Sequence, residues 1–507
     1  MIKRLLIANR GEIALRIVRA CRELDLESVA VYSEADARAP HVAAADRAIA
    51  IGPAPAVDSY LSIPRLIAAA RESRADAVHP GYGFLSENAG FARACDEAGL
   101  VFVGPPAEVI ATMGSKIAAR TLMQAAGVPV VPGETPDDQT DEGLRRTIER
   151  VGLPVLVKAS AGGGGKGMRR VRDAAEIMDA TRAARREAAA AFGDGTLYVE
   201  RLVEQPRHIE VQVFGDCHGR IDHVFERECS VQRRHQKIVE ESPSPALSPA
   251  VRARITSAAV TAAGAAGYRN AGTIEFLLDG VGDAARFYFL EMNTRLQVEH
   301  PVTEAVSGID LVRAQLLVAS GEPLPWTPQS LTQRGHAIEA RVYAEDPAHD
   351  FLPQAGRLLL YREPRRPGIR IDAGVVEGGD IPVYYDPMMA KVIAAAETRE
   401  AAIARLASAL REFPILGIRT NIPFLLRILE HPRFRAGTVD TGFLDGEGAV
   451  LAEEPDDTPS AAMRAAVAAF RGDLGSETSS FESQTPNPKS RLQTTADPWS
   501  ALRAWGR

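Results

Sequence analysis

The sequence predicts a multidomain protein of mixed α/β and α+β class. Three observations carry that expectation. The chain opens with a strand, a helix and a second strand at βαβ spacing, which implies a parallel sheet. A small α+β unit is inserted in a larger one. A hairpin of two apolar strands then closes the central region. At 507 residues the chain exceeds what one hydrophobic core organises, so two to four domains are expected.

The elements follow in order. Residues 3–8 are a compact apolar strand, Asn9-Arg10-Gly11 turns the chain, and Ile13, Ile17, Val18 and Cys21 keep helical spacing before a second strand over 28–32. The turn has one glycine, so the Gly-x-Gly-x-x-Gly pattern of a dinucleotide site is missing. Strands over 77–79 and 100–103 complete a first domain, 1–113. The second domain is 114–320, with an inserted lid at about 130–204. Gly127-Val128-Pro129 reads as the hinge into that lid. The lid holds a strand over 154–158, a charged helix over 173–192 and further strands. The host resumes with the hairpin of 273–278 and 286–290. A third domain, 334–446, contains a strand over 336–343 and a helix near 399–411. The remainder, 447–507, is rich in Ser, Thr, Pro, Gly and acids and is expected to be largely disordered, apart from a helix over 461–470.

Composition narrows the function classes. A net charge of −7 gives no cause to expect nucleic acid or an acidic membrane surface. The four cysteines lie far apart, which suits free thiols in a reducing compartment, the cytoplasm. The N-terminal apolar run is too short for a signal peptide, and no uncharged stretch is long enough for a transmembrane helix.

Four motifs point to chemistry. Residues 291–300 read Glu-Met-Asn-Thr-Arg-Leu-Gln-Val-Glu-His, so Glu291, Asn293, Arg295, Gln297 and Glu299 alternate. In an extended chain they share one face, which suits a metal and a small anion. Glu275 sits among apolar neighbours on the partner strand. With Glu291 and the Asn293 oxygen it supplies hard ligands suited to Mg²⁺, or else the acids line an exposed face of the hairpin. Gly162–Gly165, flanked by Lys158 and Lys166 and preceded by Lys116, reads as a phosphate cradle or as a flexible surface loop. The stretch 226–237, with Arg227, Arg233, Arg234 and Lys237, reads as a basic loop that neutralises a phosphoryl group or as a solvated face. Cys229 within it reads as a packed residue rather than a nucleophile.

Together, Ile7–Ala14, His79–Asn88, Lys158–Met168, Gln232–Lys237 and Glu291–His300 resemble the biotin carboxylase family of the ATP-grasp superfamily, over about residues 1–445. The resemblance implies an N-terminal parallel α/β domain, an ATP-grasp domain with an inserted lid and a C-terminal α+β domain. It implies ATP contacts at Lys116, Lys158, Gly164, Gly165, Glu200, His208 and His235, with Mg²⁺ or Mn²⁺ on Glu275, Glu291 and Asn293. It also implies a bicarbonate pocket of Lys237, Arg295, Gln297 and the Val298 backbone, with Glu299 as general base. Arg341 would hold the biotin ureido oxygen, and Tyr82 would stand beside the biotin.

The implied reaction is ATP- and bicarbonate-dependent carboxylation of biotin through carboxyphosphate, the first half-reaction of an acetyl-CoA or other acyl-CoA carboxylase. No Met-Lys pair occurs, so biotin is expected on a separate biotin carboxyl carrier protein, with a separate carboxyltransferase subunit. A homodimer is the family expectation. The last residues, 497–507, faintly resemble the stretch that opens the next domain of longer acyl-CoA carboxylase α chains, or form a docking peptide. Two rival readings are another ATP-grasp ligase acting on an amine, and an inactive nucleotide-binding regulatory subunit.

Overall fold

The computed structural model describes residues 2–160 and 167–453. Gly164, Gly165 and the rest of the glycine run, and the chain beyond Glu453 with its expected helix and terminal peptide, lie outside the described residues.

Five parallel strands form the first sheet, in the order Arg47–Ala50, Glu27–Tyr32, Arg4–Ile7, Ala77–His79 and Val101–Phe102. Leu5, Leu6 and Ile7 are all buried, the mark of a central parallel strand covered on both faces. The helix Gly11–Glu23 turns Ile13, Ile17, Val18 and Cys21 inward. Gly11 begins it at φ 65°, a conformation that suits glycine. The loop after the strand Ile369–Ala373 reaches this helix start. A Cβ on Gly374 would lie 2.5 Å from the Glu12 amide nitrogen, so the approach requires glycine.

The second sheet has eight antiparallel strands: Arg286–Asn293, Asn270–Asp279, Arg207–Gly215, Ile221–Arg233, Gln236–Ser242, His336–Tyr343, Met388–Ala396 and Ile369–Ala373. It runs without a break across the division drawn between 320 and 334. Pairing of Val239 with Ala340 and Glu240 with Glu339 joins the two sides. A four-stranded sheet, Gly133–Glu134, Leu197–Arg201, Val155–Ala159 and Arg169–Val171, carries the helices Asp141–Val151 and Ile177–Phe192. It closes its own core of Leu144, Ile148, Val155, Val157, Leu197 and Val199.

Three expectations are corrected. The basic loop at 226–237 is a hairpin: the strand Ile221–Arg233 continues through it, turns at Arg234 and His235, and returns as Gln236–Ser242. Its charges obscured the strand, yet Glu226, Arg227 and Glu228 are buried and paired. The ribbon at 291–300 is extended only to Asn293, the last residue paired to the neighbouring strand. The chain then turns, and Glu299 becomes the N-cap of the helix His300–Ser307, whose first turn holds Pro301. The tail does not begin at 447: the helix Phe443–Ala452 passes it, because Leu444 and Leu451 pack into the C-terminal core.

Candidate active site

The large sheet places Glu210, Lys237, Glu240, Glu275 and Arg341 on neighbouring strands, and the turn after Asn293 brings Gln297 and Glu299 to them. Lys237 is the hub. Its three N–H groups are shared among four acceptors: Glu275 Oε1 (2.8 Å), Glu299 Oε1 (2.6 Å), Gln297 Oε1 (3.2 Å) and Glu210. One ammonium thus faces three carboxylates. Burial alone would lower its pKa, but Glu210, Glu275 and Glu299 hold it well above the ordinary lysine value.

Glu299 is 1% exposed. Its second oxygen accepts from Arg341 Nη2 at 3.0 Å, and Arg341 Nε donates to Glu240 at 2.6 Å. Burial would raise the Glu299 carboxyl, but Lys237, Arg341 and Arg227 outweigh it and hold the pKa below the usual carboxylate range. Glu240 takes the opposite course. Burial pushes it up to about 7 despite Arg341. Two carboxylates on one guanidinium are therefore pulled apart: Glu299 is held ionised by its cations, while burial pushes Glu240 toward the neutral form.

Glu275 and Glu291 are direct cross-strand partners. Glu275 also accepts from Asn293 Nδ2 (2.8 Å) and Gln297 Nε2 (3.2 Å), and His208 Nε2 lies 3.1 Å from its other oxygen. Burial would raise Glu275, yet Lys237 and His208 hold it well below the ordinary value. Glu291 stands at an open position on the strand, but its pKa is raised, first by its low-dielectric surroundings and then by the charge of Glu275. A divalent cation between them would remove that repulsion, and carboxylate oxygens are the hard donors Mg²⁺ or Mn²⁺ prefers, so the residues fit such an ion. His208, Glu210 and Glu275 also lie close enough together to share one.

The remaining residues fall at different distances from this cluster. Lys158 pairs with Glu200. Lys116 is exposed, and its pKa is lowered, first by partial burial of the ammonium and then by Lys158. Arg295 reaches across to the N-terminal domain, with Nε on Glu87 (2.9 Å) and Nη2 on Asn293 Oδ1 (3.1 Å). The Val298 carbonyl accepts from Lys391 at 2.8 Å. The Tyr82 hydroxyl is buried without a protein hydrogen-bond partner. His235 is exposed at the hairpin tip, at φ 66°, and is not drawn into the cluster. Cys229 is fully buried, and burial raises its thiol well above the ordinary value, as for a packed residue.

Sequence reasoning missed Glu210, Glu240 and Lys391, and it named Arg227 only as part of a basic loop. Arg227 is completely buried. It pairs with Glu210 and donates to Gln212 Oε1 (2.9 Å), Thr303 Oγ1 (2.9 Å) and Thr273 Oγ1 (3.1 Å), so it anchors the carboxylate behind Lys237. The available signal was Glu210 and Gln212 alternating with Ile209, Val211 and Val213 in an apolar strand, since a buried acid calls for a partner.

Comparison with known proteins places the chain in a family. Residues 1–110 match the biotin carboxylase N-terminal domain, 115–327 the carbamoyl-phosphate synthase L chain ATP binding domain, and 339–446 the biotin carboxylase C-terminal domain. The chain is 52% identical to a biotin carboxylase of Halalkalibacterium halodurans over 444 residues, 88% of this chain and 97% of the relative. It is 50% identical to the mitochondrial methylcrotonoyl-CoA carboxylase subunit alpha of Rattus norvegicus, covering 87% of this chain but only 62% of that longer protein. Among solved structures, the biotin carboxylase domain dimer of Hydrogenobacter thermophilus 2-oxoglutarate carboxylase, in complex with MgADP, ADP and bicarbonate, superposes with a TM-score of 0.84. It has 43% identity and covers 90% of this chain and 100% of that one. With its site residues assembled around Lys237 and Glu299, the chain belongs to the biotin carboxylase family, and its activity is that of a biotin carboxylase ligase.

Proposed function

We propose that the chain carries out the first half-reaction of an acyl-CoA carboxylase, with biotin delivered on a carrier protein and the carboxyl group passed to a carboxyltransferase. One observation carries the residue roles: Glu299 is held between Lys237 on one oxygen and Arg341 on the other. That carboxylate touches both the anion-binding lysine and the arginine suited to a ureido oxygen.

Bicarbonate binds where Lys237, Gln297, the Val298 amide and Arg295 present donors. An anion on Lys237 takes up part of the ammonium's charge, which relieves Glu299 and raises its basicity. Glu299 then removes the bicarbonate proton, and the freed oxygen attacks the ATP γ-phosphate, displacing ADP. The nucleotide is held by Lys116, Lys158, Glu200 and His208, with Gly164, Gly165 and His235 as further contacts. A Mg²⁺ or Mn²⁺ ion on Glu275, Glu291 and Asn293 would screen the phosphate charge when bound. Carboxyphosphate breaks down to CO₂ and phosphate. Biotin, placed beside Tyr82, gives its N1′ proton to the released phosphate, Arg341 stabilises the negative charge that gathers on its ureido oxygen, and N1′ then bonds to the carbon of CO₂ to form carboxybiotin.

Support for a homodimer comes from the Hydrogenobacter thermophilus relative, described as a dimer. Among the described residues no helix is long and apolar enough to cross a membrane. The four free cysteines, three of them buried, favour the cytoplasm.

ADP release tests the reading. It should depend on bicarbonate and rise with free biotin. Release that follows an amine acceptor and ignores bicarbonate would assign the chain to another ATP-grasp ligase.

A further inference from the structure

Val298 lies at the centre of the turn that carries Gln297 and Glu299, and the carbonyls on both sides of it are tied down. The Gln297 carbonyl accepts from His300 Nδ1 at 2.8 Å and from the His300 amide at 3.3 Å. The Val298 carbonyl accepts from Lys391 Nζ at 2.8 Å. A carbonyl only accepts, so His300 Nδ1 carries the proton. Its Nε2 has no hydrogen-bond partner. Burial and the neighbouring cations Lys391, Arg16 and Arg370 hold the ring well below the ordinary histidine pKa, so it stays neutral.

Lys391 is completely buried on the strand Met388–Ala396, directly opposite Arg341 on one neighbouring strand and Asp372 on the other. Glu12 Oε1, from the first helix of the N-terminal domain, lies 3.2 Å from its Nζ. Burial would lower the ammonium's pKa, but Glu12, Glu339 and Asp372 raise it above the ordinary value. The lysine is thus kept charged in a place where a charge is costly, and it spends a hydrogen bond on one main-chain oxygen.

Both peptide planes that meet at Val298 are therefore set. Neither is among the cis bonds of the chain, so each N–H points away from its tied carbonyl. Among the described residues, neither the Val298 nor the Glu299 N–H donates to a protein acceptor, although Glu299 is 1% exposed. Val298 is half-buried beside the site, so its backbone donor, without a protein acceptor, is available to a ligand there.

We propose that His300 and Lys391 are positioning residues for the carboxylation reaction: they lock the carbonyls flanking Val298 so that its amide is aimed at bicarbonate. Neither side chain touches substrate. The inference rests on the bicarbonate site assigned above.

Steady-state kinetics of bicarbonate-dependent ADP release test it. His300→Leu and Lys391→Met should each raise the KM for bicarbonate about tenfold, the cost of one misaligned donor to an anion, while the KM for ATP stays within about twofold. His300→Asn, whose Nδ2 stands near the place of the ring Nδ1, should recover most of the loss. A merely structural role would lower melting temperature and active fraction without separating the two KM values. Should Lys391→Met not fold, Lys391→Met with Glu12→Gln removes the buried opposite charge as well, and the His300 pair reads the same amide without altering a charge. Folded His300→Leu with an unchanged bicarbonate KM overturns the proposal. Absence of bicarbonate-dependent ADP release in the unaltered chain overturns the functional reading itself, and the proposal with it.

Discussion

Lys237 and Lys391 are both lysines set among carboxylates on the same sheet, yet they are built for opposite purposes. Lys237 donates only to side chains, and solvent reaches it, its side chain being 12% exposed. Lys391 is sealed at 0% and donates to a main-chain carbonyl. Around Lys237 the acids Glu275 and Glu299 are hydrogen-bonded on both oxygens or close to further donors. Around Lys391 both oxygens of Glu12 and of Glu339 lack a hydrogen-bond partner. An accessible lysine with exchangeable partners can hand its charge to an incoming anion. A sealed one that grips backbone can only hold shape. Burial and the choice of acceptor, rather than residue type, separate the accessible lysine from the anchored one.

Four substitutions sharpen or break this contrast. The largest effect is expected at the open site. Glu299→Gln keeps the shape but cannot take a proton, so kcat for bicarbonate-dependent ADP release should fall by roughly 10²–10⁴ with nucleotide affinity unchanged. Near-normal turnover, measured alongside direct nucleotide titration, would remove Glu299 as the base. Next, Arg341→Ala should cut biotin-stimulated turnover by roughly 10²–10³, the usual loss for one oxyanion donor, while ATP still binds. An unchanged response to biotin would return Arg341 to a purely structural pairing with Glu240 and Glu299.

At the sealed site the expected effect is on stability. Lys391→Met leaves the Val298 carbonyl without its donor, and leaves Glu12 and Glu339, which burial pushes toward the neutral form, without their cation, at a cost of about 1–3 kcal/mol in denaturant unfolding. A loss under about 1 kcal/mol would mean that those carboxyls are neutral and indifferent to the lysine. The smallest effect is a pH slope. Burial raises the Glu12 carboxyl from 4.5 to about 7 in the folded chain, although Lys391 opposes it. A raised folded pKa contributes stability that is fully present below the unfolded value and is lost as pH rises through about 7, up to about 3 kcal/mol for this group. Glu12→Gln should therefore gain on the unaltered chain as pH rises from 5 to 8. Parallel stability curves would show that Glu12 stays ionised throughout.

The sequence by itself determined the class of the fold and the chemical inventory. The apolar runs and helical spacing at 3–32 sufficed for a parallel opening, because strand and helix periodicities are local properties. The acids and cations of 226–237 and 291–300 pointed to a candidate anion-and-metal site, with a solvated face as the alternative for the first stretch. The tertiary structure alone decided which of them meet. Glu210 reaches Lys237 from 27 residues away and Arg341 reaches Glu299 from 42. Lys391, 93 residues from Val298, holds the turn that carries Glu299. The turn after Asn293 was hidden for the same reason. Alternation predicts an extended ribbon, but the strand ends where its neighbour stops pairing, and Glu87 from the first domain draws Arg295 aside. Long-range pairing and burial leave no periodic trace in a single chain, so charge neutralisation between distant strands becomes visible only once the sheets are assembled.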